Sequence, residues 1–251
     1  MATASQHSDT GPTVRAQRFA GREALIDALA RRLARALEDT VTGAGALMLS
    51  GGSTPLPAYR ALAAARPRAP AGLKLFYSDD RYVPSSSDAS NYHQTTVLIE
   101  ALQLPPERVL RVRTELPLEA AAADYDAQLV GLEAAGVTMP LGLLGLGADG
   151  HTASLFNAEH LARAREHRAI AVHRPDGREA VSVTPQVLER VSSLLFIVAG
   201  ADKRDALRAF FGRSGQSTAW RAVCGRERVE VWCDQDAWPG GWPDGVNGAT
   251  A

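Results

Sequence analysis

The run PLGLLGLGADGHTASLF, residues 140–156, changes character at its middle. Its first half is apolar and interrupted only by glycine. Its second half gathers Gly147, Asp149, Gly150, His151, Thr152 and Ser154. A short apolar run reads as a strand buried on both faces, the kind found in parallel sheets. A glycine-rich polar stretch directly after it reads as a strand that stops, turns sharply and presents side chains. Ligands in such sheets bind at the carboxyl ends of the strands. The stretch therefore bears on the fold and on the site at once.

Three further apolar runs end in the same way. GALMLS (45–50) leads into GGSTP, LKLFYSDD (73–80) leads into Arg81, and LLFIVAG (194–200) leads into Ala201, Asp202 and Lys203. Polar clusters thus stand at four expected strand ends: Ser50–Thr54, Asp79–Arg81, Gly147–Ser154 and Gly200–Lys203. Helical patterns lie between them. GREALIDALARRLARALEDT places Leu25, Leu29, Leu33 and Leu37 four residues apart, one face of an amphipathic helix. TPLPAYRALAAARP is expected to be a helix capped by Thr54 with Pro55 in its first turn. NYHQTTVLIEAL, LEAAAADYDAQLVGLEAA and ADKRDALRAFFG also read as helices. RVLRV, HRAIAVHRP, EAVSVTPQ and RVEVWCD read as further strands, the middle two paired, and the strand at 73–80 is expected to end at Ser78. The alternation predicts an α/β fold with a mainly parallel sheet covered by helices.

The chain has 251 residues, long enough for a sizeable core without disulfide or metal staples. One domain is expected over 15–237, between a polar lead-in (1–14) and a Gly/Pro-rich tail (238–251). The formal net charge of −1 argues against a nucleic-acid partner, which needs a basic face. No apolar run reaches the length of a membrane helix, and the first residues lack the basic head and apolar stretch of a secretory signal. A cytoplasmic location is expected. Cys224 and Cys233 lack metal-type spacing and read as two buried thiols near a C-terminal strand in a reducing compartment, although their nine-residue separation could in principle bridge.

Each cluster has its own chemistry. SGGST (50–54), between a strand and a helix start, brings Gly51, Gly52, Ser53 and Thr54 to a place where backbone N–H groups favour an anion; it would also serve as an ordinary capped turn. In SDDRYVP (78–84), Arg81 could hold a phosphate bidentately and Asp79 could orient a catalytic group or a sugar hydroxyl, or the two could form a surface ion pair. The chain uses arginine almost everywhere, and its only lysines are Lys74 and Lys203. A lysine at a strand end suits a compact charge for phosphate, or a solvated first turn. His151, alone among six histidines, sits in a glycine turn at a strand end. A side chain that changes charge near neutrality suits a general base. Asp149 fixes the turn or contacts substrate. Metal binding is disfavoured because no other histidine stands at ligand spacing; His93, His160, His167 and His173 read as surface or structural. TASLF is not a G-x-S-x-G elbow, and GGSTPL lacks the ending of a Walker A loop.

Taken together, LSGGSTP, SDDRYVPSSSDASNYHQT, GLGADGHTASLF and VTPQVL…LLFIVAGADKRDAL resemble the 6-phosphogluconolactonases of the sugar-phosphate isomerase/deaminase superfamily, from about residue 19 to 237. The resemblance implies a three-layer α/β/α fold with a modified Rossmann-like sheet, hydrolysis of 6-phospho-D-glucono-1,5-lactone, and no metal or organic cofactor. It implies His151 as general base, Asp79 as an active-site acid, Arg81 and Lys203 as phosphate holders, and Gly51–Thr54 as the loop beside them, with Asp149 and Gly150 completing the substrate turn. The family usually has D-E-R where this chain has Asp79, Asp80 and Arg81, which puts a role for Asp80 in question, and proline where Asn157 stands. The related deaminases typically carry a glutamate five residues beyond the histidine, where this chain has Phe156, and tend to have tyrosine at the place of Arg81. A sugar-phosphate-sensing regulator would need a DNA-binding module, and too few residues precede the first helix for one.

Overall fold

A computed structural model describes residues 11–40, 43–213 and 217–241. Nine strands and eight α-helices are described: β1 (Thr13–Phe19), α1 (Arg22–Asp39), β2 (Gly45–Leu49), α2 (Leu56–Ala64), β3 (Lys74–Tyr77), β4 (Asp79–Arg81), α3 (Asn91–Ala101), α4 (Leu118–Ala134), β5 (Thr138–Leu144), α5 (Ala158–Arg163), β6 (Ala169–His173), β7 (Glu179–Val183), α6 (Pro185–Arg190), β8 (Ser193–Val198), α7 (Arg204–Phe211), α8 (Thr218–Val223) and β9 (Arg228–Asp234). Six strands form one sheet in the order β1-β9-β8-β5-β2-β3, with every pairing parallel. A smaller antiparallel sheet has the order β4-β7-β6.

Alternate residues of the large sheet enter two different cores, which makes the fold three layers. In β2, Leu47 and Leu49 join α1, α2 and the start of the segment after α3, while Ala46 and Met48 face the core of α4, α7, α8 and the small sheet. In β8 the same division separates Leu195 and Ile197 from Leu194, Phe196 and Val198. Burial on both faces is why these strands read as unbroken apolar runs. The predicted leucine stripe of α1 is the buried one: Leu25 and Leu29 are fully buried, and Leu33 and Leu37 nearly so. Leu29→Ala should cost about 2–5 kcal/mol, seen as a lower urea midpoint at unchanged m-value.

The order of strands reverses between β2 and β5. The chain moves outward from β2 to β3, then the later strands β5, β8 and β9 build the other side. A crevice opens at such a switch point, outside the carboxyl ends of the strands. The segments that follow β2, β5 and β8 are three of the polar clusters singled out in the sequence.

Several sequence expectations are corrected. Strand β3 ends at Tyr77, and the acidic segment after it is itself strand β4, paired with β7 through Asp79↔Ser182 and Arg81↔Ala180. RVLRV is not a strand: it meets β3 only at the bridge Leu75↔Val109, and its apolar residues cover the core without a ladder. Thr54 does not cap α2, which begins after Pro55 with no side-chain cap. Helix α7 begins at Arg204, after a 3₁₀ turn at Ala201–Lys203. The expected lead-in already joins the sheet at its end, because β1 starts at Thr13; residues 1–10 lie outside the described residues. Trp238, expected in the tail, is anchored against Phe211 at 5.7 Å, and residues 242–251 lie outside the described residues. The pairing of β6 with β7 is as expected. Both cysteines are free thiols, but only Cys233, in β9, is buried as expected; Cys224 is exposed because it stands at the C-terminal end of α8 and not in the strand. Among the described residues no helix is long and apolar enough to cross a membrane.

Candidate active site

The loop after β2 is fixed from two sides. The Tyr59 hydroxyl accepts from the Ser50 N–H at 3.2 Å and donates to the Ser50 carbonyl at 2.8 Å. Gln94 of α3 accepts the Gly52 N–H at 2.9 Å. Gly51 lies against the Asn91 side chain so closely that a Cβ there would collide with its amide, so glycine is required where α3 approaches the loop. These bonds occupy Ser50 and Gly52. They leave the Ser53 and Thr54 backbones at the mouth of the crevice, which is lined by Ser50, Gly51, Gly52, Ser53, Thr54, Gly145, Leu146, Ala199 and Lys203.

Strand β4 splits three adjacent polar residues into three roles. Asp79 is 6% exposed. It accepts from the Ser154 hydroxyl at 2.7 Å, the Ser78 hydroxyl at 3.0 Å and the Asn91 amide at 3.2 Å. Arg81 donates to Asn91 Oδ1 from the half-buried edge of the strand. Asp80 points to the other face and caps α3: it accepts the Asn91 N–H at 2.6 Å, the Tyr92 N–H at 3.1 Å and the Ser90 hydroxyl at 3.0 Å. Ser90 in turn accepts the His93 N–H at 3.2 Å. Together they satisfy three of the donors that a helix start leaves unpaired. The shorter carboxylate of Asp80, questioned from sequence, thus holds the helix that carries Asn91 and Gln94.

Burial pushes the Asp80 carboxyl up to about 6, against the pull of its backbone donors. The folded chain therefore keeps the proton in a window, from the ordinary aspartate value of 3.8 to about 6, where the unfolded chain has lost it. A raised carboxylate value means stability falls as pH rises through that window, by an amount on the order of 3 kcal/mol. Asp80→Asn cannot ionise and should lose less stability between pH 4 and 7 than the wild type. Urea midpoints of both proteins at the two pH values check this.

The turn after β5 closes on itself. The Gly147 N–H bonds the His151 carbonyl at 2.9 Å, and the Gly150 N–H bonds the Gly147 carbonyl at 3.0 Å. Gly150 has φ +81°, a left-handed conformation open to glycine at little cost. This brings Asp149 back beneath the imidazole, where its carboxylate hydrogen-bonds His151 Nδ1. Partial burial raises the Asp149 carboxyl, but the hydrogen bonds and charge of His151 outweigh it and hold the carboxyl below its ordinary value. On the ring's apolar side Phe156 lies 4.2 Å away, centroid to centroid. Thr152 donates to the Gly145 carbonyl at 2.8 Å. Ala153, at φ 49°, takes the left-handed turn that sends Ser154 down to Asp79.

After β8, Gly200 donates its N–H to Asp234 at 3.1 Å. Lys203 lies across the crevice mouth with its ammonium 3.2 Å from the exposed Asp202 carboxylate. The structure therefore brings Lys203 to the Gly51–Thr54 loop, and links Arg81 to Gly51 through Asn91. It links Asp79 to the His151 turn through Ser154, and pairs His151 with Asp149. Asp79 and His151 have no direct bond. Sequence reasoning missed Asn91, Gln94, Phe156 and Arg174 as parts of the assembly, and placed Ser154 in its cluster without a role. His160 is buried and structural, its Nδ1 accepting the Phe156 N–H at 3.1 Å.

An imidazole held by Asp149 in the turn that follows β5, and a crevice that brings Lys203 to open backbone N–H groups beside the ends of β2, β5 and β8, suit the activation of water against a substrate that carries an anion. Residues 20–232 match the family described as glucosamine-6-phosphate isomerases/6-phosphogluconolactonase. The 6-phosphogluconolactonase of Nostoc sp. is 34% identical over 180 residues, covering 69% of this chain and 74% of that protein. That of Rattus norvegicus is 34% identical over 221 residues, covering 83% and 84%. The crystal structure of 6-phosphogluconolactonase from Thermotoga maritima superposes with TM-score 0.73 at 25% identity, over 89% of this chain and 100% of that one. A monomeric glucosamine-6-phosphate deaminase shares the fold as well, with TM-score 0.72 at 19% identity over 89% and 98% of the two chains.

Proposed function

The chain belongs to the glucosamine-6-phosphate isomerase/6-phosphogluconolactonase family, and from that premise we propose that it hydrolyses 6-phospho-D-glucono-1,5-lactone to 6-phospho-D-gluconate, the lactone-opening step of the oxidative pentose phosphate pathway. The relatives named above support the lactone over other sugar phosphates. The observation that carries the choice within the family is the surrounding of His151. The imidazole has Asp149 at Nδ1 and the apolar Phe156 ring against it. A deaminase places a second acid near that position for proton shuttling, whereas hydrolysis of a lactone needs one base and one water.

In this mechanism Asp149 accepts a hydrogen bond from Nδ1–H, which fixes the tautomer and leaves the Nε2 lone pair free. Nε2 takes a proton from water as the water oxygen attacks the lactone carbonyl. The tetrahedral intermediate collapses by breaking the bond to the ring oxygen, which leaves as a hydroxyl with the proton now on Nε2. A base placed this way contributes roughly 10²–10⁴-fold. Arg81, Lys203 and the N–H groups of the Ser53–Thr54 segment hold the phosphate, and binding energy from this remote group fixes the lactone near the imidazole. Asp79 acts through what it holds: Asn91, which engages Arg81, and Ser154, which anchors the turn.

The test sets the two family chemistries side by side. Purified protein should accelerate acid release from freshly prepared phosphorylated lactone and release no ammonia from glucosamine 6-phosphate. Ammonia release without lactone hydrolysis would overturn the reading.

A further inference from the structure

The hairpin between β6 and β7 carries an arginine that reaches into the site. Its turn is closed by the Arg174 N–H to the Arg178 carbonyl at 2.8 Å and the Gly177 N–H to the Arg174 carbonyl at 3.0 Å. Asp176 at the tip accepts from both arginines, with Arg174 Nε at 3.3 Å and Arg178 Nη2 at 2.8 Å. Those contacts, Arg174 first, hold the Asp176 carboxyl far below its ordinary range. An arginine serving only a surface pair would lie open to solvent. The Arg174 side chain is only 13% exposed.

The rest of that side chain is spent on the site. Its guanidinium carbon lies 5.0 Å from the centroid of the Phe156 ring, and that ring lies 4.2 Å from the imidazole of His151. Its Nη1 stands 3.4 Å from Ser154 Oγ, which donates to Asp79 at 2.7 Å. The backbone of Phe156 is already fixed, its N–H by His160 at 3.1 Å and its carbonyl by the Thr218 hydroxyl at 3.2 Å. What remains free is the rotation of the ring, and the guanidinium limits it.

We propose that Arg174 is a positioning residue for the hydrolysis, holding the Phe156 ring against His151 and the Ser154 hydroxyl on Asp79. The proposal rests on the lactonase reading for its kinetic consequence and on the contacts alone for its structural one. A guanidinium on an aromatic face is a cation–π contact. Its loss leaves the imidazole with a wider range of orientations and fewer productive ones.

Arg174→Met keeps the stem and removes the charge. It should lower kcat by about ten-fold, the size of a single partly desolvated cation–π contact, and change KM by less than about two-fold. Arg174→Lys keeps a cation near the ring without the planar fork and should recover part of the loss. Because Arg174 acts through the ring, Arg174→Met combined with Phe156→Leu should be no slower than the worse single variant. The imidazole NMR signals of His151, identified by their absence in His151→Gln, should shift in Arg174→Met as the Phe156 ring moves. A folded Arg174→Met protein with unchanged kcat and unchanged His151 signals overturns the proposal. So does a raised KM at constant kcat, which would make Arg174 a direct substrate ligand. Should Arg174→Met fail to fold, Arg174→Lys is read by the same two measurements. An inactive wild type would overturn the lactonase reading, while the NMR shift would still decide the contact.

Discussion

His151→Ala should lower kcat by roughly 10²–10⁴-fold while product affinity stays within a few-fold. The substitution removes the proposed base and leaves the groups proposed to hold the phosphate in place, because Lys203, Arg81 and the Gly51–Thr54 loop are secured by contacts that do not include the imidazole. His151→Gln should not restore the rate. An amide holds a water but cannot accept its proton at neutral pH. Both variants should fold, since the imidazole is half-buried and bonds only within its own turn and to Phe156. Circular dichroism and product binding accompany the kinetics. A folded His151→Ala protein that keeps more than about a tenth of the wild-type kcat, above the range for a lost general base, would remove His151 from the mechanism.

Loss of the cations proposed to hold the phosphate should appear in KM instead. Charge-assisted hydrogen bonds contribute about 1.5–3 kcal/mol each, so Lys203→Ala and Arg81→Ala should each raise KM by roughly ten-fold or more. Lys203→Ala is the cleaner of the two, because its ammonium meets only the exposed Asp202. Arg81→Ala also releases Asn91, which lies against Gly51 and Asp79, and some fall in kcat should accompany it. Unphosphorylated gluconolactone should behave with the wild type much as the phosphorylated lactone does with a variant carrying both Lys203→Ala and Arg81→Ala. Equal kcat/KM for the two lactones on the wild type would show that the cations do not recognise phosphate.

The central sheet was legible because its strands are buried on both faces. Ala46 and Met48 enter one core and Leu47 and Leu49 the other, so no polar residue breaks the run. The turns that follow were legible because a backbone forced into a left-handed conformation, as at Gly150, favours glycine. Elements at the margins were not. Strand β1 pairs only with β9 and buries only Val14, so its arginine-rich alternation resembles solvent-facing chain. Strand β4 is three polar residues whose ladder partner, β7, lies about a hundred residues further on. Nothing local announces it. Asn91 and Gln94 look like ordinary residues at a helix start, and come to hold the loop after β2 only because Asp80 fixes where α3 begins. Arg174 stands in a chain that uses arginine throughout, and its distinction is an aromatic face reached across the fold.

The most direct measurement follows acid release from freshly prepared 6-phospho-D-glucono-1,5-lactone by pH-stat, with the spontaneous rate subtracted, for the wild type and His151→Gln in parallel. The account predicts a rate well above background for the wild type, saturating with substrate, and a rate near background for His151→Gln. A wild-type progress curve indistinguishable from spontaneous hydrolysis would contradict it.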